Sequence, residues 1–360
     1  MAFLAWMQFS GERLVKSNRL RPRVATQDAG IRAITPRRTR LLRARDLQSF
    51  QRAIVDAVTA PGHARPDERV VLVPSRAAAV QLHQTMEELN NGATQFPALL
   101  TRFEWYAWLH RRLPALPPAL SDVEREVMLS EAARDTAAAG VSPPFVVRPG
   151  LIAEMLVFYD ALRRQQRTLV DFERLTVGEL QVSAPFDHGA ARVLDQTRFL
   201  VEAFVRFEAR VEAANRLDEH RLRARLLVDV CRPPFRHVVV TVADQIVSTD
   251  GLWVADFDLL TRLPYLEQVD IVTTEGLLAC GFLERLHEFL PGIEEERVDA
   301  SLSRRPSLEV PVDQKTPYFV NRDREEELWA VARRMKTGRG AGASRDALAD
   351  GAVGGVFQRP

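Results

Sequence analysis

Lysine is scarce in this 360-residue sequence, which contains only Lys16, Lys315 and Lys336. A loop that cradles nucleotide phosphates needs glycines, whose backbone amides approach the phosphates, followed by a lysine and a serine or threonine. Valine, glutamine and methionine precede the three lysines, and none of them follows a glycine loop. The sequence therefore excludes a nucleotide-binding loop of this lysine-dependent type.

Cysteines and long apolar runs are also lacking. Cys231 and Cys280 are too few for a disulfide framework or a multi-cysteine metal site, which favours a reducing, cytoplasmic location. No run of about 18 apolar residues occurs, so we expect no membrane partner. The histidines show no metal-ligand spacing; His83 and His110, for example, have no histidine at i+4. We expect neither a metal nor a cofactor in this chain.

Charge is balanced overall but unevenly distributed. The net charge is +1, yet residues 1–45 hold ten arginines and Lys16 against Glu12 and Asp28, which leaves the remaining residues at −8. A basic arm before an acidic body is typical of an interacting protein, although composition alone does not name the partner. The apolar fraction of 46% is sufficient for a core and excludes global disorder.

Hydrophobic periodicity predicts strand–helix units at both ends of the chain. Residues 69–74 (RVVLVP) form a continuous apolar run, which is typical of a buried parallel strand, and Ser75 follows where a helix cap belongs. Residues 98–100 predict a second strand, and Thr101 can cap the helix after it. Further strands are predicted at 235–242, 269–273 and 318–321, and helices at 47–58, 251–263, 277–290 and 324–336. Residues 121–139 and 148–231 are predicted to be helical.

Five segments in a fixed order carry recognisable motifs. They are VVLVPSRAAAVQL (70–82), LLTRFEWYAWLHRRL (99–113), SDVEREVMLSEAAR (121–134), FRHVVVTVADQ (235–245) and YFVNRDREEELWAVARRMK (318–336). The first resembles motif Ia of UvrD-like superfamily I helicases, and more closely its degenerate form in AddB-type, RecB-like subunits of helicase–nuclease DNA-repair complexes. The second follows at the spacing of the next DNA-contacting motif. The others resemble the start of the helical subdomain, the Walker B strand and the opening of the second motor domain.

The resemblance implies a fold class: an α/β, RecA-like (P-loop NTPase-like) parallel sheet with a large all-helical insertion and a degenerate ATP site. It divides the chain into a basic, disordered extension (1–44), two parts of an α/β domain (45–120 and 232–300), a helical insertion (121–231), a truncated second α/β domain (301–336) and a glycine-rich, disordered tail (337–360). Full-length family members use ATP and Mg²⁺ and are helicase or deoxyribonuclease subunits.

Two departures from the family indicate a motor without ATPase activity. The segment before the first motif, PGHARPDER (61–69), contains one glycine and no lysine. An active motor needs an Asp-Glu pair after the Walker B strand, one carboxylate for magnesium and one to orient water. Here that strand runs into Val242-Ala243-Asp244-Gln245, which offers one carboxylate.

The nuclease of the family, a PD-(D/E)XK enzyme, would lie beyond residue 360. Asp313-Gln314-Lys315, with Asp299 upstream, imitates its motif, but the flanking prolines favour a loop over a rigid strand. The sequence therefore resembles the truncated N-terminal region of such a subunit and is not expected to be an enzyme alone.

Five residues are candidates for DNA binding: Ser75, Arg76, Thr101, Arg102 and Trp105. A hydroxyl, an arginine and free amides at a strand end can hold a phosphate, and an aromatic there can stack a base. The alternatives are an ordinary helix cap with a solvated arginine at 75–76 and a core position for Trp105. Glu294-Glu295-Glu296 is interpreted as a solvated loop.

The expected function is non-catalytic binding of DNA and of a partner helicase–nuclease subunit in double-strand-break repair. Two alternatives remain open. One is a protein–protein scaffold whose helical middle binds a partner without DNA, and the other is an active helicase or nuclease whose catalytic parts are missing from this chain.

Overall fold

The computed structural model describes residues 37–60, 64–89, 95–112, 116–228 and 235–298, together with 325–333 except Glu327 and Val331. The chain divides into two compact units, Met1–Ser301 and Leu302–Pro360. The described residues of the second unit are helical, as the sequence predicts. The predicted extension up to residue 36, the nuclease-like triplet 313–315, the strand at 318–321 and the tail 337–360 lie outside the described residues.

Six strands of the first unit form one sheet in which all neighbours are parallel. They are β1 (Arg38–Ala44), β2 (Arg69–Leu72), β3 (Ala98–Leu100), β4 (His237–Val240), β5 (Gln268–Thr274) and β6 (Glu294–Arg297). The order across the sheet is β3-β2-β4-β5-β1-β6. The predicted α/β class with a parallel sheet is thus confirmed.

Helices cover both faces of the sheet and fill the long connection between β3 and β4. They are α1 (Leu47–Thr59), α2 (Arg76–Leu89), α3 (Arg102–Arg112), α4 (Asp122–Ala138), α5 (Pro149–Arg164), α6 (Leu169–Leu180), α7 (His188–Ala213), α8 (Glu219–Val228), α9 (Val254–Arg262) and α10 (Leu283–Phe289). Helices α1 and α2 pack on one face against Val71 and Val239. Helices α3, α8, α9 and α10 pack on the other, where Leu72, Val240 and Ile271 lie.

The sequence predicts the central strands β2 and β4 correctly because helices pack on both of their faces. Every residue of β2 and β4 is buried, and Val238, Val239 and Val240 are 0% exposed. A strand that is buried on both faces reads as a continuous apolar run, without the alternation of a half-exposed strand.

The middle of the chain is helical, as predicted, and has its own core. Helices α4, α5, α6 and α7 bury a cluster that includes Phe199, Phe204 and Phe207, each 0% exposed. These aromatics recur at helical spacing along α7, which explains why their pattern indicated core packing. Helix α8 instead adds Leu222 and Leu226 to the core beneath the sheet.

The prediction of a disordered extension up to residue 44 is wrong for its last part, because Arg38–Ala44 is strand β1, between β5 and β6. Its arginines bind carboxylates on the neighbouring strands: Arg40 Nη2 lies 2.8 Å from Asp270 Oδ2, and Arg43 Nη1 lies 2.6 Å from Glu295 Oε2. Arg40 and Asp270 are 230 positions apart, so the basic residues resemble a solvated arm until the sheet is assembled.

Two further predictions need correction. Glu294-Glu295-Glu296 is not a loop but most of β6, which pairs with β1 and is neutralised by its arginines. The single helix predicted over 277–290 is broken into a turn of helix at Glu275–Leu277, a π-helical turn at Leu278–Phe282 and α10. The break occurs at Gly281, whose φ of 75° lies in the left-handed region that glycine adopts without strain.

Candidate functional site

The loops that follow the strands meet at one edge of the sheet, because parallel strands all end on the same side. Ligands of open α/β sheets bind at this carboxyl edge. Three of its loops carry motifs identified in the sequence: those after β2, β3 and β4.

The loop after β1 is where a phosphate loop would lie, since such a loop joins a strand to the N-terminus of the next helix. It holds Arg45 and Asp46 and contains no glycine. Asp46 caps α1: the Ser49 amide donates to its Oδ1 at 2.8 Å, and hydrogen bonds from Ser49 hold the pKa of this carboxyl below its ordinary value. A carboxylate thus occupies the position that an anion would take.

The segment before β2, which the family resemblance assigns to the ATP loop, does not lie at this edge of the sheet. Its described part, Ala64 to Arg69, forms the 3-10 turn Pro66–Glu68 and enters β2 at the amino end of the strand. It is therefore at the opposite edge from the loops that could face a nucleotide. The loop after β1 is therefore the position at which a nucleotide-binding loop would need glycines and a lysine, and it contains neither.

Asp244, the carboxylate after β4, is engaged by the protein itself. It is 2% exposed, Arg285 of α10 donates to both of its oxygens, and the Val247 amide donates to its Oδ1 at 3.1 Å. The turn is held closed at Gly251, where a Cβ would lie 2.2 Å from the Asp244 carbonyl oxygen. The next position is Gln245, and a single carboxylate that is already paired with an arginine does not fit a magnesium site. Among the described residues, no cluster of three or more possible ligands is arranged to hold a metal.

Ser75 and Arg76 lie at the N-terminus of α2, at this edge. The Ala78 amide donates to Ser75 Oγ at 3.2 Å, so the serine caps the helix as the sequence predicts. The Arg76 side chain is 74% exposed, and its Nε lies 3.1 Å from Glu104 Oε1. An exposed ion pair of this kind is weak and leaves the guanidinium accessible to another anion.

Thr101 lies beside this pair, because β2 and β3 are neighbours in register. Its amide and hydroxyl both donate to Glu104 Oε2 at 3.0 Å, and the Glu104 amide donates back to Thr101 Oγ1 at 3.3 Å. Glu104 therefore joins Thr101 to Arg76, and the structure brings three of the five predicted residues together: Ser75, Arg76 and Thr101.

Arg102 is directed into the protein. Its Nε donates to Asp256 Oδ2 at 2.6 Å, and its Nη2 donates to Glu219 Oε1. Burial acts to lower the pKa of Arg102, but the charges and hydrogen bonds of Asp256 and Glu219 outweigh it and raise this pKa above its ordinary value. Both sides of the guanidinium are occupied by carboxylates of α8 and α9, so it offers no free donor pair to a phosphate.

Trp105 lies in the core, which was the alternative that the sequence left open. It is 0% exposed, and its ring meets Tyr106 edge to face at 5.4 Å. Its Nε1 is buried without a hydrogen-bond partner among the described residues. A buried indole cannot stack on a base without unfolding of the helix start.

Phe103 is the aromatic that lies on the surface at this edge, and sequence reasoning missed it. It is 74% exposed in the first turn of α3, one residue before the Glu104 that binds Arg76. The helical periodicity of α3 could have identified it. Trp105 and Leu109 define the buried side of α3, whereas position 103 lies on the exposed side with Ala107.

A buried ionic network fixes the base of this surface. Glu219 of α8 accepts hydrogen bonds from Arg102 of α3 and from Arg164 of α5, whose Nη2 lies 2.7 Å from Oε2. Burial acts to raise the pKa of Glu219, but the hydrogen bonds and charges of Arg164 and Arg102 hold it well below its ordinary value of 4.5. The network links the helix that carries Phe103 to the helical insertion.

The Glu219 carboxylate predicts a loss of stability in acid. Because its pKa is lower in the folded than in the unfolded protein, its contribution is complete above pH 4.5 and is lost as the pH falls below that value. We expect Glu219→Gln to flatten this part of the curve of unfolding free energy against pH, by up to about 1.4 kcal/mol per pH unit. The control is Glu212→Gln, since Glu212 is 76% exposed. Superimposable acid limbs for wild type and Glu219→Gln would contradict this assignment.

No family model matches this chain, and no curated protein matches it. None of the described helices is sufficiently long and apolar to cross a bilayer.

Proposed function

We propose that this chain is the non-catalytic, helicase-like region of a DNA-repair helicase–nuclease subunit, with a RecA-like sheet that binds single-stranded DNA and works with a catalytic partner subunit. The observation that carries the proposal is a contrast at one edge of the sheet. The positions for nucleotide phosphate and magnesium are filled by Asp46 and by the Asp244–Arg285 pair. At the same edge of the sheet, Arg76 and Phe103 are exposed to solvent.

The exposed pair has the chemistry that single-stranded nucleic acid requires. Proteins bind such strands by placing cations along the backbone and stacking bases on aromatic side chains. Arg76 supplies the cation and Phe103 the ring, and the amide end of α2 beside Ser75 favours an anion. Arg102 and Trp105 would act indirectly, by fixing the first turn of α3.

We expect Phe103→Ala to weaken binding of a fluorescein-labelled oligothymidine by about 1–3 kcal/mol, because it removes one base–aromatic stack. Arg76→Ala should reduce the slope of log affinity against log salt by about 0.7, the value for one phosphate contact on a single strand. Fluorescence anisotropy over a salt series measures both quantities.

Matched controls are available on the helical insertion. Phe186 is 93% exposed, and Arg198 forms an exposed pair with Asp195, so Phe186→Ala and Arg198→Ala should leave binding unchanged. Equal effects of Phe103→Ala and Phe186→Ala would refute the site. If the wild type shows no affinity even at low salt, DNA binding itself is refuted and the scaffold alternative takes its place.

A further inference from the structure

The helical insertion carries an apolar groove that no residue of the nucleic-acid surface lines. It encloses about 370 Å³ between α4 and the start of α5. Its apolar lining residues are Val127, Ala133, Ala137, Val147, Pro149 and Ile152. An exposed apolar groove that is rimmed by charged residues is a candidate protein-binding surface.

The shape of the groove fits a helix. On α4 the lining residues Val127, Ser130, Arg134 and Ala137 recur every three or four residues, and the exposed Val123 continues the same stripe. Val123 is 71% exposed and Val127 is 57% exposed, so two apolar side chains of α4 face the solvent. This stripe is about 21 Å long at 1.5 Å per residue, the length of about four helical turns. A second helix laid along it would bury these valines.

The opposite wall extends the same apolar surface. Val146, next to the lining residue Val147, is 73% exposed. Val127 of α4 and Val147 of the segment before α5 therefore both line the groove. Apolar side chains of this kind suit the apolar face of a protein helix and not a nucleic-acid backbone.

Charges at the two ends of the groove define the occupant further. Arg134 and Arg148 line one part, and Glu126, eight positions before Arg134 on α4, lines the other. Arg148 and Glu126 are exposed and make no ion pair within the described part of the chain, whereas Arg134 has only an exposed pair with Glu131. Eight residues on a helix correspond to about 12 Å, so the opposite charges are separated by about two turns.

We propose that this groove binds an amphipathic helix of a partner protein, with an acidic side chain at the Arg134/Arg148 end and a basic side chain at the Glu126 end. The inference deepens the partner-binding part of the proposed function. It depends on none of the residues that contact DNA in that proposal, so each can fail without the other.

The test uses the whole 360-residue chain and a synthetic, fluorescein-labelled helical peptide with a leucine face, glutamates near one end and lysines near the other. We expect Val127→Asp to weaken peptide binding at least about tenfold, because it places a charge on the apolar contact. Val170→Asp is the matched control, since Val170 is 71% exposed on α6 and lies outside the groove. Unchanged thermal unfolding of both variants shows that they fold.

A charge swap tests the orientation. Arg148→Glu should weaken binding of this peptide and restore binding of a second peptide in which lysines replace the glutamates. Equal binding by wild type, Val127→Asp and Val170→Asp, or no binding at all, would overturn the proposal. A dimer of the chain that Val127→Asp converts to monomer would also overturn it, because a second copy would then fill the groove. Retained oligothymidine binding by Val127→Asp separates this result from the proposed DNA site.

Discussion

Arg102→Ala is expected to lower the free energy of unfolding by about 3 kcal/mol, and not chiefly to reduce DNA affinity. Removing one partner of a buried ion pair leaves the other charge without compensation, at a cost of about 3–5 kcal/mol. Asp256 is 0% exposed and would lose the Arg102 guanidinium. We expect the lower end of the range because Asp256 keeps hydrogen bonds from the Tyr106 hydroxyl (2.7 Å) and the Trp253 amide (2.8 Å).

Urea unfolding measures this effect, and Arg76→Ala provides the control. Arg76 is 74% exposed, so its removal should change the unfolding free energy by less than about 0.5 kcal/mol. The two arginines follow adjacent, paired strands, yet one belongs to the interior and the other to the surface. An Arg102→Ala variant that is as stable as wild type but binds DNA poorly would contradict the interior assignment.

Trp105→Ala is expected to cost about 3–5 kcal/mol of unfolding free energy, because it removes a large ring from a packed core. The ring is 0% exposed and lies in the cluster beneath the sheet with Leu109 and Phe235. Phe103→Ala, two positions earlier, should cost less than about 0.5 kcal/mol, since that ring is largely in solvent.

A conservative variant separates volume from hydrogen bonding at this position. Trp105→Phe keeps an aromatic ring and removes the Nε1–H that has no partner among the described residues. We expect it to cost less than the alanine variant, because the cavity that it leaves is smaller. Calorimetric or denaturant unfolding of the two variants provides the comparison. Equal losses for Trp105→Phe and Trp105→Ala would mean that the indole nitrogen, not the ring volume, supports the core.

For the five predicted DNA-binding residues, the sequence predicts local features and does not predict contacts with distant residues. Ser75 and Thr101 cap their helices as predicted, because a cap is a local feature that reads from three or four residues. The position of Arg102 after a strand predicts a phosphate contact. Its actual partner, Asp256, lies 154 residues later in the chain. No local pattern distinguishes Arg102 from Arg76. The presence of an aromatic near an arginine does not identify Phe103, because only the assignment of the buried side of α3 separates it from Trp105.

The amino-acid sequence is sufficient to predict an α/β fold with a parallel sheet and to exclude a lysine-dependent phosphate loop. Its continuous apolar runs and helical periodicities correspond to β2, β4, β5 and the helices between β3 and β4, since buried strands and amphipathic helices are local patterns. The residues around the three lysines exclude the phosphate loop, because none of these lysines follows a glycine loop.

The partners of the charged side chains, by contrast, depend on tertiary packing. Arg40 and Arg43 lie in the sheet and pair with Asp270 and Glu295. Asp244 is unavailable to a metal because it binds Arg285, which is 41 residues later in the chain. A charge is solvated or paired according to which chain segment packs against it, and these segments are distant in sequence. The same packing placed Trp105 inside and left Phe103 at the surface.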